Sequence, residues 1–270
     1  MKIIGEKING TRKRVAKAIA ERDADYIKDL ALKQTEAGAD WLDVNAGTHP
    51  NQEPDDLVWL IDTIQSVVDT RLCLDSANPK ALGVAIRAVM KTPLINSISG
   101  EPERLEGILP IVAESGCEVI ALAMDGKKIP ETSERRLAVI DKVMLATREA
   151  GINDEKIYVD PLVMTISTNI NSGLIFLETL REVQRAYSQV HFTAGLSNIS
   201  FGLPARSYIN RAFLTLALQA GLDCAIIDPL DQELKATLLS AELVLGRDRH
   251  CLNYVRSYRA GVFNKSYESG

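Results

Sequence analysis

The chain has 270 residues, of which 46% are hydrophobic and 25% are charged, and its formal net charge is -5. These values are typical of a globular enzyme with a large core. The mild negative charge argues against a nucleic-acid-binding protein, which usually carries a basic surplus. Neither the N-terminal MKIIGEKING nor any later stretch is apolar enough for a signal peptide or a membrane span. We therefore expect a cytoplasmic protein that binds neither nucleic acid nor membrane.

Short apolar runs recur along the chain with a spacing of about thirty residues, the length of one βα unit. They show little alternation, as expected of parallel strands that are covered by helices on both faces. In chain order the predicted strands span residues 2–8, 41–45, 71–75, 93–97, 118–123, 156–160, 191–196 and 224–228.

Amphipathic segments lie between these strands, and several of them stop at a glycine that suits a helix C-terminus. The predicted helices of this kind span residues 25–37, 101–115, 131–150 and 211–220. The glycines that follow them are Gly38, Gly116, Gly151 and Gly221. The repeated order of helix, glycine and strand indicates a repeating architecture.

Eight βα units without a linker or a change of composition predict an α/β protein built as one (β/α)8 TIM barrel. We assign residues 1–250 to the barrel and residues 251–270 to a C-terminal extension. The alternative is a doubly wound sheet, which would need a G-x-G-x-x-G turn after its first strand. The sequence there reads G-E-K-I-N-G, so the barrel is favoured.

The cysteines and histidines show no spacing that is typical of a metal site. Cys73 and Cys224 lie inside predicted strands, where a buried and unreactive thiol is the usual occupant. The four cysteines form no C-x-x-C pair, and the three histidines share no ligand spacing with them. The sequence therefore predicts no metal ion.

Polar side chains end several of the predicted strands. By this count the residues that end the third, fourth, sixth and seventh strands are Asp75, Asn96, Asp160 and Asn198. Each of these residues alone is also a common turn or helix-capping residue. Because the reactive groups of a barrel lie at the C-terminal ends of its strands, several such residues together favour one shared pocket.

Carboxylates and primary amides suit a planar heterocycle better than a hydrolytic reaction. A carboxylate can accept two N–H bonds side by side, and an asparagine can donate and accept at once. The sequence near them offers no histidine base, no G-x-S-x-G elbow and no metal-ligand cluster. The 2-amino-4-oxo-pyrimidine edge of a pterin has the complementary pattern of donors and acceptors, so we expect a pterin-like ligand.

Motifs that occur in order along nearly the whole chain carry a family resemblance. They are L-C-L-D-S at residues 72–76, I-N-S at 95–97, Y-V-D-P-L at 158–162, G-L-S-N-I-S-F-G-L-P-A-R at 195–206 and I-N-R at 209–211. In this order and spacing they resemble the methyltetrahydrofolate:corrinoid-protein methyltransferases, which are pterin-binding TIM barrels.

The resemblance implies roles for the residues at matching positions. Asn198 would be the mobile amide that reaches N5, the atom that carries the methyl group, and it would form the catalytic set with Asp75 and Asn96. Arg206 would lie close to the ring or bind the folate tail. The residues expected to bind the pterin or the folate are Asp75, Asn96, Asp160, Gly195, Ser197, Asn198 and Arg206. Weaker candidates, for which a purely structural role is the equal alternative, are Glu6, Asn9, Asp43 and Asn45.

The resemblance also implies an activity, which is transfer of a methyl group between N5 of tetrahydrofolate and the cobalt of a corrinoid, in either direction. The cobalamin would be supplied by a separate corrinoid protein, and the enzyme would be a homodimer. The segment Asp248-Arg-His250 partly matches the Asp-x-His-x-x-Gly signature of corrinoid carriers, but it lacks the glycine. We therefore expect this chain itself to hold no corrinoid.

Two other functions remain open for a barrel of this kind. A dihydropteroate synthase would have an S-F-S-D-type loop after its first strand and a late pair of basic residues, and neither is clear in residues 5–14 or 226–249. A non-catalytic folate-binding subunit would bind the same ligand without transferring a methyl group.

Overall fold

The structure is a computed structural model that describes residues 1–126 and 128–263. Residues 264–270 of the predicted C-terminal extension lie outside the described residues. A helix at Leu252–Arg259 follows the last barrel unit, and the boundary at residue 250 stays a prediction. Asp248 caps this helix, because its carboxylate accepts the N–H groups of Asn253 at 3.0 Å and Tyr254 at 2.9 Å.

The strands form one parallel sheet that closes on itself. In the described residues they are β1 (Lys2–Asn9), β2 (Trp41–Asn45), β3 (Arg71–Asp75), β4 (Leu94–Ser99), β5 (Glu118–Leu122), β6 (Ile157–Asp160), β7 (His191–Phe192) and β8 (Cys224–Ile227). Their order in the sheet is β7-β6-β5-β4-β3-β2-β1-β8. A bridge between Gly195 and Ile226 joins the two edges, where the Ile226 N–H donates to the Ala194 carbonyl at 2.9 Å. The predicted (β/α)8 barrel is confirmed.

Helices pack around the sheet between successive strands. They are α1 (Lys13–Glu21), α2 (Ala24–Glu36), α3 (Glu53–Gln65), α4 (Pro79–Ala88), α5 (Pro102–Ser115), α6 (Ser133–Glu149), α7 (Ser172–Ala186), α8 (Arg206–Ala220), α9 (Gln232–Val244) and α10 (Leu252–Arg259). In the described part of the chain, no helix combines the length and the apolar character needed to cross a bilayer.

Two predicted boundaries near the end of the barrel were wrong. Helix α8 begins at Arg206, five residues before the predicted start at Arg211, because Ala205 precedes it in a left-handed conformation without a capping side chain that the sequence could reveal. The seventh strand ends at Phe192 instead of residue 196, and a 3-10 helix occupies Leu196–Ser200.

The barrel interior contains a layer of bulky apolar side chains. The buried residues of this interior layer are Ile4, Trp41, Cys73, Leu94, Ile120, Tyr158 and Cys224. Because side chains alternate along a strand, the residues two positions further on face the interior one layer higher, toward the barrel mouth at the C-terminal ends of the strands. Asp75 lies two positions after Cys73, Asn96 after Leu94 and Asp160 after Tyr158.

The far end of the barrel is closed by charged and aromatic groups. The Lys2 ammonium donates to the Tyr158 hydroxyl at 2.7 Å, and the rings of Tyr158 and His191 stack with centroids 4.8 Å apart. The His191 Nδ1 lies 2.6 Å from an Asp223 carboxylate oxygen. These contacts stabilise the end of the barrel opposite the mouth.

The loop after β1 provides a test of the packing at the mouth. A Cβ atom on Gly10 would lie 1.9 Å from the Ala46 carbonyl oxygen, whereas Gly83 in α4 has no atom within 4 Å of the equivalent position. We expect Gly10→Ala to lower the free energy of unfolding by about 2 kcal/mol, because backbone must move. Gly83→Ala should raise it by roughly 0.5–1 kcal/mol, since alanine favours the helix. Urea unfolding of both variants checks this, and equal effects would contradict it.

Candidate active site

Neighbouring strands bring the predicted polar residues together near the C-terminal ends of the strands. Asp75 of β3 is the register partner of Asn96 in β4, and Asn45 of β2 is the partner of Asn9 in β1. We call Asp43, Asn45, Asp75, Asn96 and Asp160 the polar ring. Its members come from four strands, and hydrogen bonds join Asn45 to Asp75 and Asn96 to Asp43.

Asn45 and Asp75 form one hydrogen-bonded pair in the polar ring. The Asn45 amide nitrogen donates to the Asp75 carboxylate at 2.9 Å and to the Asp75 carbonyl at 3.2 Å. The Asn45 Oδ1 is buried and has no partner among the described residues. A buried acceptor without a partner is costly, so this oxygen is suited to accept an N–H group from a ligand.

Asn96, which is half-buried, and Asp43, which is buried, form a second pair. Asn96 lies inside β4 and not at its end as predicted, because the strand continues to Ser99. Its amide nitrogen donates to the Asp43 carboxyl at 3.4 Å, and Asp43 is only 3% exposed. Burial and then the charge of Asp75 hold the pKa of Asp43 well above its usual value. Asp43 is therefore a buried acid that favours its neutral form, in contact with Asn96.

Asp75 is the more accessible of the two neighbouring carboxyl groups. Burial raises its pKa, and the negative charge of Glu53 acts in the same direction. The hydrogen bond from Asn45 and the charge of Arg104 oppose this shift. Because two close carboxylates repel each other, ionisation of one disfavours ionisation of the other, and the more deeply buried Asp43 is held more strongly in its neutral form.

Asp160 ends β6 and is buried, with 8% of its surface exposed. Its Oδ1 accepts the N–H of Leu162 at 2.8 Å. Burial raises the pKa of Asp160 to about 7, against the opposing effects of the Leu162 N–H and the Arg136 charge. Asp160 therefore titrates near neutral pH and can pair with a ligand that offers N–H donors.

Asn198 lies in the 3-10 helix after β7, so its placement at a strand end was wrong. Its backbone N–H donates to the Gly195 carbonyl at 3.2 Å, and its own carbonyl accepts the N–H of Phe201 at 3.1 Å. Its side chain is exposed and makes no hydrogen bond within residues 1–126 and 128–263. A Cβ on Gly195 would lie 3.1 Å from the Asn198 amide nitrogen, so glycine at position 195 leaves room for this amide.

Arg206 fixes the segment that contains Asn198. Its guanidinium donates to the Ser197 carbonyl at 2.6 Å and to the Ser200 hydroxyl at 3.0 Å. The Ser200 hydroxyl also bonds to Asn210 at 2.7 Å. In this structure Arg206 and Ser197 therefore stabilise the loop, and contact of Arg206 with a folate tail stays a prediction.

The weaker candidates at β1 make local contacts. The Asn9 side chain accepts both the N–H and the hydroxyl of Thr11, at 3.0 and 2.7 Å, and so stabilises a turn. Glu6 forms an ion pair with Arg12 at 2.8 Å. Burial raises the pKa of Glu6, while the charge of Arg12 lowers it. Both side chains thus have a structural role in this conformation.

Charged residues that were not predicted from the sequence also reach the site from the surrounding segments. Glu53 and Arg104 act on the charge of Asp75, and Arg136 acts on Asp160. A charged residue in an amphipathic helix usually faces water, so only its burial in the folded chain reveals such a role. Among the described residues, no group of three or more His, Cys, Asp and Glu side chains could hold a metal ion.

The raised pKa of Asp160 predicts a pH-dependent gain from Asp160→Asn. The folded pKa of about 7 exceeds the ordinary value of 3.8. The neutral carboxyl thus favours folding at low pH, and this advantage is lost as the pH rises through about 7. The amide stays neutral, so the melting temperature of the variant should rise relative to that of the parent between pH 5 and pH 8. The difference should grow by at least about 3 °C, which corresponds to roughly 1 kcal/mol in the free energy of unfolding.

Thermal melts across this pH range provide the measurement, with Asp125→Asn at an exposed position as the matched control. A melting difference between Asp160→Asn and the parent that is constant with pH would contradict the assignment.

The chain is similar to known proteins over most of its length. Residues 5–228 match the family model described as pterin binding enzyme. The chain is 38% identical over 263 residues to a methylcorrinoid:tetrahydrofolate methyltransferase of Eubacterium limosum, a match that covers 97% of each chain. It is 29% identical over 238 residues to the methionine synthase of Mycobacterium tuberculosis, covering 83% of this chain and 20% of that protein.

Solved structures share the fold at lower identity. The dihydropteroate synthase of Yersinia pestis, solved with a pterine–sulfa conjugate, is 18% identical, with a TM-score of 0.70 and coverage of 92% of this chain and 94% of that chain. The family resemblance drawn from the motifs is confirmed by the family match and by the near full-length relative. Because the matched region, residues 5–228, takes up most of the chain, this protein belongs to the family of pterin binding enzymes.

Proposed function

We propose that this protein is a methyltransferase that moves a methyl group between N5 of tetrahydrofolate and the cobalt of a corrinoid, in either direction. In one direction, methyltetrahydrofolate and cob(I)alamin give tetrahydrofolate and methylcobalamin. The observation that carries the proposal is the polar ring, whose carboxylates and amides converge at the barrel mouth. It is supported by the near full-length relative whose name contains both substrates.

The polar ring matches the hydrogen-bonding edge of a pterin. The amidine edge offers parallel N–H donors, for which a carboxylate is the best acceptor. Asp160 supplies one, with its Oδ1 already held by Leu162. Asp75, Asn96 and the unpartnered Asn45 Oδ1 supply further acceptors and donors for the rest of the ring. Gly195 and Ser197 would then lie against the pterin ring.

Methyl transfer from N5 requires stabilisation of the charge that develops on this atom. An amine nitrogen is a poor leaving group unless a proton or a hydrogen-bond donor neutralises it. The exposed Asn198 amide, free of hydrogen bonds to the described residues, can turn toward N5. The Asn96 amide donates to the buried acid Asp43 at 3.4 Å. We infer that Asn198, Asp75, Asn96 and water form a hydrogen-bond network that is preorganised for the transition state.

The corrinoid is a second substrate in this reaction, and its cobalt accepts the methyl group or returns it. We propose that a separate corrinoid protein presents it over the barrel mouth. On the family resemblance we also propose a homodimer. A cytoplasmic location remains a proposal, supported by the four cysteines, all of them free thiols, since disulfides are rare in that compartment.

Two assays distinguish the proposed methyltransferase from the two alternatives, which are a dihydropteroate synthase and a non-catalytic folate-binding subunit. Methylcobalamin and tetrahydrofolate are mixed with the protein, and loss of the methyl–cobalt absorption band is followed. Pterin pyrophosphate and aminobenzoate are offered in a second assay. Methyl transfer supports the proposal, formation of dihydropteroate overturns it, and pterin binding without either reaction identifies a binding subunit.

Substitution of Asn198 tests the proposed network directly. We expect Asn198→Ala to slow single-turnover methyl transfer about 100-fold, because loss of one preorganised donor costs about 3 kcal/mol in the transition state. The dissociation constant for tetrahydrofolate should change much less, since the amide acts mainly on the developing charge. Rapid-mixing spectroscopy at saturating tetrahydrofolate gives the rate, and calorimetry gives the affinity.

The matched control is Asn153→Ala, an exposed asparagine in the segment that leads into the opposite end of β6. It should leave both quantities unchanged. A rate for Asn198→Ala within about twofold of the parent rate would remove Asn198 from the mechanism.

A further inference from the structure

Arg136 is an arginine in an unusual environment. It lies in the first turns of α6 and is only 1% exposed, although its neighbours Glu134 and Arg135 are exposed. A buried guanidinium is costly unless its donors are hydrogen-bonded. Within the described residues no carboxylate lies close enough to form an ion pair with it. Its burial therefore needs another explanation.

Within residues 1–126 and 128–263, the acceptors of the guanidinium are all backbone carbonyls. Its Nε donates to the Pro130 carbonyl at 2.9 Å, and one terminal nitrogen donates to the carbonyls of Pro161 and Leu162, each at 2.7 Å. Pro130 lies in the loop before α6, whereas Pro161 and Leu162 directly follow Asp160 at the end of β6. Arg136 thus joins α6 and its preceding loop to the segment that follows β6.

Leu162 has a backbone conformation that an L residue rarely adopts. Its φ is 69°, in the left-handed region, where a residue with a side chain is disfavoured. The same residue donates its N–H to Asp160 Oδ1 at 2.8 Å. Leu162 therefore contacts Arg136 through its carbonyl and Asp160 through its N–H. Such a conformation persists only where surrounding contacts hold it. Arg136 supplies one contact to the Leu162 carbonyl and one to the adjacent Pro161 carbonyl.

The charge of Arg136 also reaches Asp160. It opposes the effect of burial, which raises the pKa of this carboxyl to about 7. In the described part of the chain, the groups that favour the ionised carboxylate are the Leu162 N–H and the Arg136 guanidinium. Loss of the cation alone would leave burial less opposed and would raise the pKa of Asp160 further.

We propose that Arg136 is a positioning residue for pterin recognition, which holds the segment after β6 in the conformation that presents Asp160 to the ligand. The proposal rests on the proposed function, because the ligand of Asp160 is taken to be the pterin of tetrahydrofolate. Arg136 acts through Leu162 and Asp160 and does not itself touch the ligand.

The test measures the affinity for tetrahydrofolate by calorimetry between pH 5 and pH 9. We expect Arg136→Met to weaken binding at pH 7 by about tenfold or more, as for loss of a buried charge-assisted contact. Its pH midpoint of binding should lie above that of the parent, because the pKa of Asp160 rises. Arg136→Lys keeps the charge but not the several N–H donors of the guanidinium. Its pH midpoint should therefore lie close to that of the parent, while its affinity for tetrahydrofolate stays below the parent affinity.

A second-site substitution separates positioning from general stability. Glycine adopts positive φ at little cost, so Leu162→Gly in the Arg136→Met background should recover part of the lost affinity. Arg135→Met, on the same helix and exposed, is the control and should bind like the parent. Where Arg136→Met does not fold, Arg136→Lys and its double variant with Leu162→Gly are measured instead. Because lysine keeps the charge, the pH midpoint is then not a criterion, and weakened binding that Leu162→Gly partly recovers is the expected result.

The outcomes are distinguishable. Arg136 variants that bind tetrahydrofolate like the control at every pH would overturn the positioning role and leave the proposed function intact. Weakened binding with an unchanged pH midpoint and no recovery by Leu162→Gly would also overturn it. A parent protein that binds no tetrahydrofolate overturns the proposed function and this inference together.

Discussion

The polar ring depends on the packed layer of side chains directly beneath it. Bulky residues such as Trp41, Leu94 and Tyr158 fill the barrel interior and exclude water from that level. Because side chains alternate along each strand, the next inward positions must lie one layer higher, at the mouth. The apolar layer therefore sets the position of the polar ring and gives it an environment of low polarity on one side. Burial in this environment raises the pKa values of Asp43, Asp75 and Asp160.

Burial gives similar carboxyl groups different properties. Asp43 lies deepest and close to another carboxyl, so its neutral form is favoured. Burial also raises the pKa of Asp160, but a nearby cation and a backbone N–H oppose this effect, and the pKa is about 7. The polar ring thus contains a neutral acid beside an amide, and a further carboxyl group that titrates near neutral pH. This combination suits recognition of a heterocycle that carries donors and acceptors on different edges.

The strand ends that the sequence predicted well are those fixed by local periodicity. Asp75 and Asp160 end apolar runs that became β3 and β6, and the runs are short enough to define their ends. Asn198 was misplaced because the chain after Phe192 pairs through only one bridge, between Gly195 and Ile226. Asn96 was misplaced for the opposite reason, since pairing with β5 extends β4 to Ser99. Both errors arise where contacts with a neighbouring strand decide the backbone.

The sequence by itself determined the repeating βα units, the barrel and the residue types at its mouth, because strand and helix periods are local properties of the chain. Only the tertiary structure decided which polar groups pair, how deeply each carboxyl is buried and which helix side chains reach them. Arg136 illustrates this limit. It is the same residue type as the exposed Arg135 beside it, and only the packing of α6 against the segment after β6 gives it a different role. Burial and hydrogen-bond partners are set by chain closure, which brings together residues that lie far apart in the sequence.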